Sequence, residues 1–133
     1  MGKEETYTFI EELLQSVKEA FSTRRVHLGM DEAVLLGLGK YLKENGYEKG
    51  SVLIREHCKR VLAICKKLGL EPMIWSDMYI TANTNGGYYE VPADADCSSW
   101  EKPEKGLGLV YWDYYHVDEK SYEKMLNIHK QLS

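Results

Sequence analysis

Short β-rich runs alternate with longer helical patterns along this chain, and that alternation leaves few folds open to it. Three runs have the character of strands, at residues 25–30, 72–78 and 107–115. Strands that alternate with helices imply parallel strands joined by right-handed crossovers, which is the arrangement of an α/β protein. We therefore predict an α/β fold with about three parallel strands and flanking helices.

The helical patterns are amphipathic. Apolar residues recur at intervals of three and four over residues 4–21 and 52–68, and Gly69 is placed to end the second of these helices. Asp118 is a suitable N-cap for a last helix that extends to residue 132. Residues 79–106 lack a helical period, and a loop of that length is usually functional or contains an unrecognised element.

Charge and hydropathy disfavour several classes of partner. The net charge of −4 and the absence of a Lys or Arg run argue against nucleic acid. No apolar stretch approaches the roughly 20 residues of a membrane span, so we expect no membrane association and a cytoplasmic location. Cys58 and Cys65 fall on one apolar stripe and are expected in the core. No residue spacing suggests a metal site, and we expect no cofactor.

Each strand-like run gathers ionisable or aromatic side chains at its carboxyl end. Ligands of parallel sheets and barrels bind at that end of the strands, so we predict one shared site there. The residues concerned are Asp31 and Glu32 after the first run, Trp75 and Asp77 in the second, and Tyr111, Trp112, Asp113, Tyr114, Tyr115 and His116 in the third.

Alternation along the first run assigns its side chains to two faces. We expect His27 and Asp31 to point toward the interior or mouth of a barrel, with Glu32 in the loop above it. A second interpretation, in which Asp31 only caps the following helix, stays open at this point. The other face, which we expect to meet the helices, consists of Val26, Leu28 and Met30.

Residues 25–33, Arg-Val-His-Leu-Gly-Met-Asp-Glu-Ala, resemble the H-x-G-x-D-E signature of glycoside hydrolase family twenty, the β-N-acetylhexosaminidases. Residues 36–42, 73–78 and 110–115 are similar to the intracellular-type branch of that family. The resemblance implies a (β/α)8 barrel, which needs about 250 residues. We therefore expect residues 1–133 to be an incomplete part of one catalytic domain, from about its third helix to its sixth.

The resemblance also implies a reaction, the removal of terminal β-linked N-acetylhexosamine with retention of configuration. Glu32 would be the general acid that protonates the glycosidic oxygen and then the base that activates water. Asp31 would orient the 2-acetamido group of the substrate, whose oxygen attacks the anomeric carbon. Such substrate-assisted catalysis is an exception to the usual pair of carboxylates with a protein nucleophile.

Further residues would bind the sugar if the resemblance holds. Trp75 would offer a flat apolar wall, although barrel filling is its alternative role. Tyr111 and Asp113 resemble a Tyr-x-Asp pair in which the tyrosine bonds the acetamido oxygen and the aspartate holds sugar hydroxyls. Tyr114 and Tyr115 crowd the same strand end. The remaining candidate at that end is Trp112, which is an alternative match for a tryptophan of the family.

The roles of the other polar residues stay open. Asp77 could bind a sugar hydroxyl or a loop backbone. His27 could tune Asp31 or be a satisfied interior histidine, and we favour the structural role. His129 lies in a helix and is expected at the surface or in packing, whereas His116 has no partner that the sequence identifies.

Three strands of a barrel would leave two sheet edges unpaired. We therefore expect the remainder of the barrel, or a second copy in a homo-oligomer, as a partner, and we expect the isolated chain to be inactive or feeble. One alternative function is a non-catalytic α/β carbohydrate-binding or assembly module. Another is an α/β enzyme that holds a divalent metal ion with Asp31 and Asp77.

Overall fold

The computed structural model describes residues 2–84 and 86–132. The elements in chain order are α1 (Glu4–Ala20), β1 (Arg25–His27), α2 (Lys40–Asn45), α3 (Gly50–Leu68), β2 (Glu71–Trp75), α4 (Asp77–Ala82), β3 (Gly108–Val110) and α5 (Glu119–Leu132). The prediction of an α/β fold is confirmed. No helix in these two described ranges is long and apolar enough to cross a membrane.

The three strands form one parallel sheet in the order β1-β2-β3. His27 pairs with Met73, and Trp75 pairs with Val110. Since all three strands point the same way, the segments that follow His27, Trp75 and Val110 meet at one edge of the sheet. That edge is where the sequence predicts a shared site.

Helices α1 and α3 cover one face of the sheet. Their buried side chains, among them Tyr7, Leu14 and Val61, form a core against which Val26 and Leu28 of the first strand segment pack. The predicted contact between the apolar face of this segment and the helices is therefore confirmed.

Cys58 and Cys65 lie on α3, and both are buried as predicted. Burial raises the pKa of the Cys58 thiol, and likewise that of Cys65, to about 11. The thiols therefore stay protonated at neutral pH and behave as small apolar side chains.

The long segment before β3 contributes a second core beneath α5. Tyr88, Val91 and Cys97 are buried against Met125 and Ile128 of that helix. Asp118 precedes the helix, and its Oδ1 accepts a hydrogen bond from the Ser121 N–H at 3.0 Å, as expected for an N-cap.

The strands are shorter than predicted. β2 ends at Trp75 rather than at residue 78, because Ser76 and Asp77 begin α4. The first residues of segment 79–106 complete this helix, so the segment does contain an element that the sequence pattern did not reveal. β1 ends at His27 because Gly29 and Met30 have φ angles of 71° and 69°, which an extended strand cannot accommodate.

Candidate active site

A small cavity lies at the carboxyl ends of the three strands, with a volume of about 190 Å³. Its lining combines two carboxylates with four aromatic rings and contains no Lys or Arg. The lining residues are Asp31, Glu32, Trp75, Trp112, Tyr114 and Tyr115. Segments that are far apart in the sequence therefore come together here because parallel strands end at a common edge.

The loop after β1 presents both acids through an unusual backbone. Gly29, Met30 and Glu32 all have left-handed φ angles, with 47° at Glu32. Met30 and Glu32 carry side chains that disfavour such angles. Their backbone ends the extended conformation of the strand and turns the chain over the strand ends. Asp31 and Glu32 are both exposed, and neither side chain bonds another residue in the described part of the chain.

Two groups at the end of β2 hold this loop. The Trp75 N–H donates a hydrogen bond to the Gly29 carbonyl at 3.0 Å, which continues the sheet pairing beyond His27. The Glu32 N–H donates to Oδ2 of Asp77 at 2.8 Å. Asp77 is 4% exposed and does not line the cavity, so in this structure it contacts a loop backbone, the second of its two predicted roles.

His27 supports Trp75 from the side. The centroids of the two rings are 4.3 Å apart, and the Gly29 N–H donates to Nδ1 of the histidine at 3.1 Å. His27 is exposed in this chain and lies outside the cavity lining, so an interior position in the complete barrel stays a prediction.

Trp112 also lines the cavity, and its ring packs against a network of polar residues. Tyr88 stacks on the Trp112 ring with centroids 5.3 Å apart. The Tyr88 hydroxyl lies 2.6 Å from Oγ of Ser76, and Nε2 of His129 lies 2.7 Å from the same oxygen. Burial raises the pKa of Tyr88 to about 12 and lowers the pKa of His129, so both are neutral near pH 7.

This network was missed in the sequence, where His129 was assigned to the surface or to packing. Its ring joins α5 to the residue that follows β2. A polar residue immediately after a buried strand, as Ser76 is, was the available signal, because a buried hydroxyl requires a partner.

Tyr111 and Asp113 are not part of the cavity lining. The Tyr111 ring lies toward α5, 5.6 Å from the ring of His129. Trp112 packs against the same core beneath α5, but it also lines the cavity. The Tyr111 hydroxyl donates to Asp113 at 2.5 Å.

Asp113 is fully engaged in this second cluster. Its side chain is 2% exposed, and Nδ1 of His116 lies 2.9 Å from Oδ2, a partner that the sequence did not identify. Burial raises the pKa of the Asp113 carboxyl, but hydrogen bonds from Tyr111, from the Tyr115 and His116 backbones and from the His116 ring outweigh it and leave the pKa well below its usual value. Its assignment to sugar hydroxyls stays a prediction that requires these bonds to rearrange.

A larger cavity, of about 770 Å³, lies between α1 and α3, away from the strand ends. Two of its charged lining residues are paired with each other, because Arg60 bonds both carboxylate oxygens of Glu4. Among the described residues, no group of three or more His, Cys, Asp or Glu side chains is arranged to hold a metal ion. The cavity at the strand ends therefore remains the better candidate for chemistry.

Comparison with protein families agrees with the geometry at the strand ends. Residues 1–124 of the 133-residue chain match the model of the glycosyl hydrolase family 20 catalytic domain. The chain belongs to glycosyl hydrolase family 20. Its three parallel strands with flanking helices are part of the (β/α)8 barrel of that family. No match is found among the curated proteins.

Proposed function

We propose that this family 20 chain carries the acid/base centre of a β-N-acetylhexosaminidase, which removes terminal β-linked N-acetylhexosamine from a glycan or glycoside. One observation carries the proposal: Asp31 and Glu32 share a cavity with the rings of Trp75 and Trp112. Glu32 is the general acid and base, and Asp31 orients the 2-acetamido group.

The cavity suits a neutral sugar that becomes positively charged during the reaction. Its aromatic walls can cover the C–H faces of a sugar ring, while the carboxylates stabilise positive charge that develops in the transition state. No Lys or Arg lines the part of the site that this chain forms, so that part offers an anionic ligand no counter-charge.

The proposed reaction has two steps. In the first, Glu32 donates a proton to the glycosidic oxygen, the bond from that oxygen to the anomeric carbon breaks, and the acetamido oxygen bonds the anomeric carbon. Asp31 accepts a hydrogen bond from the acetamido N–H and stabilises the positive charge of the oxazolinium ring that forms. In the second, Glu32 takes a proton from water, and the water oxygen attacks the anomeric carbon. The bond from that carbon to the acetamido oxygen breaks, which opens the oxazolinium ring and gives net retention.

A tyrosine hydroxyl is also available for the acetamido oxygen. Tyr114 and Tyr115 line the cavity, whereas the Tyr111 hydroxyl is donated to Asp113. We therefore propose that Tyr114 or Tyr115 fills the role first assigned to Tyr111. Trp75 and Trp112 form the two walls between which the sugar ring lies.

The test compares two substrates that differ only at C2, an aryl N-acetyl-β-glucosaminide and the corresponding aryl β-glucoside. Hydrolysis is measured for the chain itself and for a complete family 20 enzyme in which residues 1–124 replace the matched segment. We expect the acetamido substrate to be hydrolysed at least about 100-fold faster, because the glucoside lacks the internal nucleophile. Equal rates on both substrates would refute substrate assistance.

Glu32→Gln and Asp31→Asn identify the residues that act, and Glu123→Gln, an exposed glutamate on α5, is the matched control. We expect Glu32→Gln to abolish measurable turnover and the control to leave it unchanged. A different outcome would favour a non-catalytic carbohydrate-binding module. In that case the wild-type chimaera shows no turnover but binds the sugar, and Glu32→Gln does not weaken this binding.

A further inference from the structure

Asp77 is a buried acidic residue, only 4% exposed. It follows the end of β2 by two residues and begins α4. Oδ2 of Asp77 accepts the Glu32 N–H at 2.8 Å, across a sequence separation of 45 residues. The bond therefore joins the segments that follow two neighbouring strands, β1 and β2.

Burying Asp77 at this position carries a free-energy cost that a purely structural role does not explain. Its other oxygen, Oδ1, is buried and has no hydrogen-bond partner among the described residues. A buried carboxylate with an unpaired oxygen destabilises the fold unless the remaining bond serves a purpose. An apolar residue of similar size would avoid that cost, but it could not bind the Glu32 amide.

The bonded amide belongs to a residue with strained backbone. Glu32 has a φ of 47°, in the left-handed region that residues with a side chain rarely adopt. Such strain persists only when neighbouring groups fix it, and it is concentrated at functional sites. Here the loop is fixed at both ends, by the Trp75 N–H on the Gly29 carbonyl and by Asp77 on the Glu32 amide.

We propose that Asp77 is a positioning residue that, by holding the Glu32 amide, fixes the left-handed backbone of Glu32 and so directs its carboxyl into the cavity beside Trp75. Without this bond the φ of Glu32 relaxes toward an extended value and its side chain leaves the cavity. Asp77 does not line the cavity, so direct sugar binding does not account for its burial. The catalytic consequence rests on the proposed function, whereas the positioning itself does not.

The decisive comparison is Asp77→Asn against Asp77→Ala in the complete 133-residue chain. An asparagine side-chain oxygen can accept the same backbone N–H, but alanine cannot. Hydrogen exchange of the Glu32 amide is followed by NMR. We expect exchange about tenfold faster in Asp77→Ala, the loss of one net hydrogen bond, and close to wild type in Asp77→Asn.

The matched control is Asp96→Ala. Asp96 is an exposed aspartate that accepts the Ser98 N–H at 2.9 Å, so the same kind of bond is removed far from the strand ends. We expect this variant to accelerate exchange at Ser98 and to leave Glu32 unchanged. If Glu32 in Asp77→Ala exchanges at the wild-type rate, or if amides throughout β2 and α3 accelerate equally, the proposal is wrong.

Turnover of the aryl N-acetyl-β-glucosaminide gives the second readout. In the chimaera that carries residues 1–124 we expect Asp77→Ala to lower kcat about tenfold or more with little change in KM, and Asp77→Asn to restore most of it. A fall in thermal stability with an unchanged kcat would refute the positioning role. If no variant hydrolyses the substrate, wild type included, the proposed function fails, and the Glu32 amide alone decides the role of Asp77.

Discussion

The ends of β1 and β3 both carry carboxylates beside aromatic rings, but they use them in opposite ways. After β1, the side chains of Asp31 and Glu32 are exposed, and neither carboxylate bonds another described residue. After β3, the Asp113 side chain is 2% exposed, and its two oxygens accept four hydrogen bonds from neighbouring groups. A carboxylate at a strand end therefore says little about ligand binding until its bonding within the protein is known.

The two ends differ because of backbone geometry. The chain after β1 passes through left-handed residues, and the bonds that hold it to Trp75 and Asp77 are made by its backbone, so its two carboxylates stay exposed. After β3 the chain turns back on itself, so that the Tyr115 and His116 backbone amides both donate to Asp113. We expect substitutions after β1 to change chemistry, and substitutions at Asp113 to change stability.

The largest expected effect is that of Glu32→Gln on turnover. General acid and base catalysis contributes about 10²- to 10⁴-fold, so we expect a loss of that size in the chimaera. The free energy of unfolding of the chain should stay within about 0.5 kcal/mol of wild type, because Glu32 is exposed. Chemical denaturation checks the second value. A marked loss of stability would remove the contrast with Asp113.

Asp113→Ala should have the opposite profile. It leaves four donors without their acceptor in a buried cluster, and we expect a loss of about 3 kcal/mol in the free energy of unfolding. Urea denaturation at pH 7, followed by tryptophan fluorescence, measures it. Wild-type stability combined with weaker sugar binding would show that Asp113 acts on the ligand after all.

The contribution of Asp113 should also depend on pH in a defined direction. Its pKa is lowered in the folded chain, so its stabilisation is complete above the unfolded pKa, near 3.9, and is lost as the pH falls toward the folded value. The difference in unfolding free energy between wild type and Asp113→Asn should therefore be constant near pH 5 and narrow below about pH 4. A difference that stays the same at pH 3 would contradict the assignment.

The smallest effects separate two tyrosines. Tyr111→Phe removes the hydroxyl bonded to Asp113 and should cost about 1 kcal/mol of stability, with little effect on N-acetylglucosamine binding. Tyr115→Phe should leave stability nearly unchanged and weaken binding, because it removes a hydroxyl at the cavity that is proposed to bond the acetamido oxygen. Denaturation and titration of the sugar against tryptophan fluorescence give both values for each variant. Reversed results would exchange the roles of the two tyrosines.

Much of the architecture was predictable from the sequence because hydrophobic periodicity reports it directly. The long helices, the parallel strands and the meeting of acids and indoles at one edge follow from alternation and strand direction. Helix α4 was not predicted, since residues 72–78 have the pattern of one apolar strand. A Ser-Asp pair at a helix start was the signal that could have revealed it.

The details of the site were not predictable because they depend on backbone angles and on long-range bonds. Nothing in the sequence indicates that Met30 and Glu32 are left-handed, since neither is glycine. The bond from Glu32 to Asp77 spans 45 residues and has no local signature. The structure was needed to separate Tyr111 from Trp112, because Trp112 lines the cavity whereas the Tyr111 hydroxyl bonds Asp113.

The left-handed backbone at residue 32 has a consequence for how such chains diverge. Glycine would adopt that conformation without strain, whereas any other residue there costs on the order of 1 kcal/mol. Keeping a glutamate at this place therefore opposes folding. A descendant that no longer needs turnover would gain stability by replacing this residue with glycine. It would then keep the barrel fold and lose the activity.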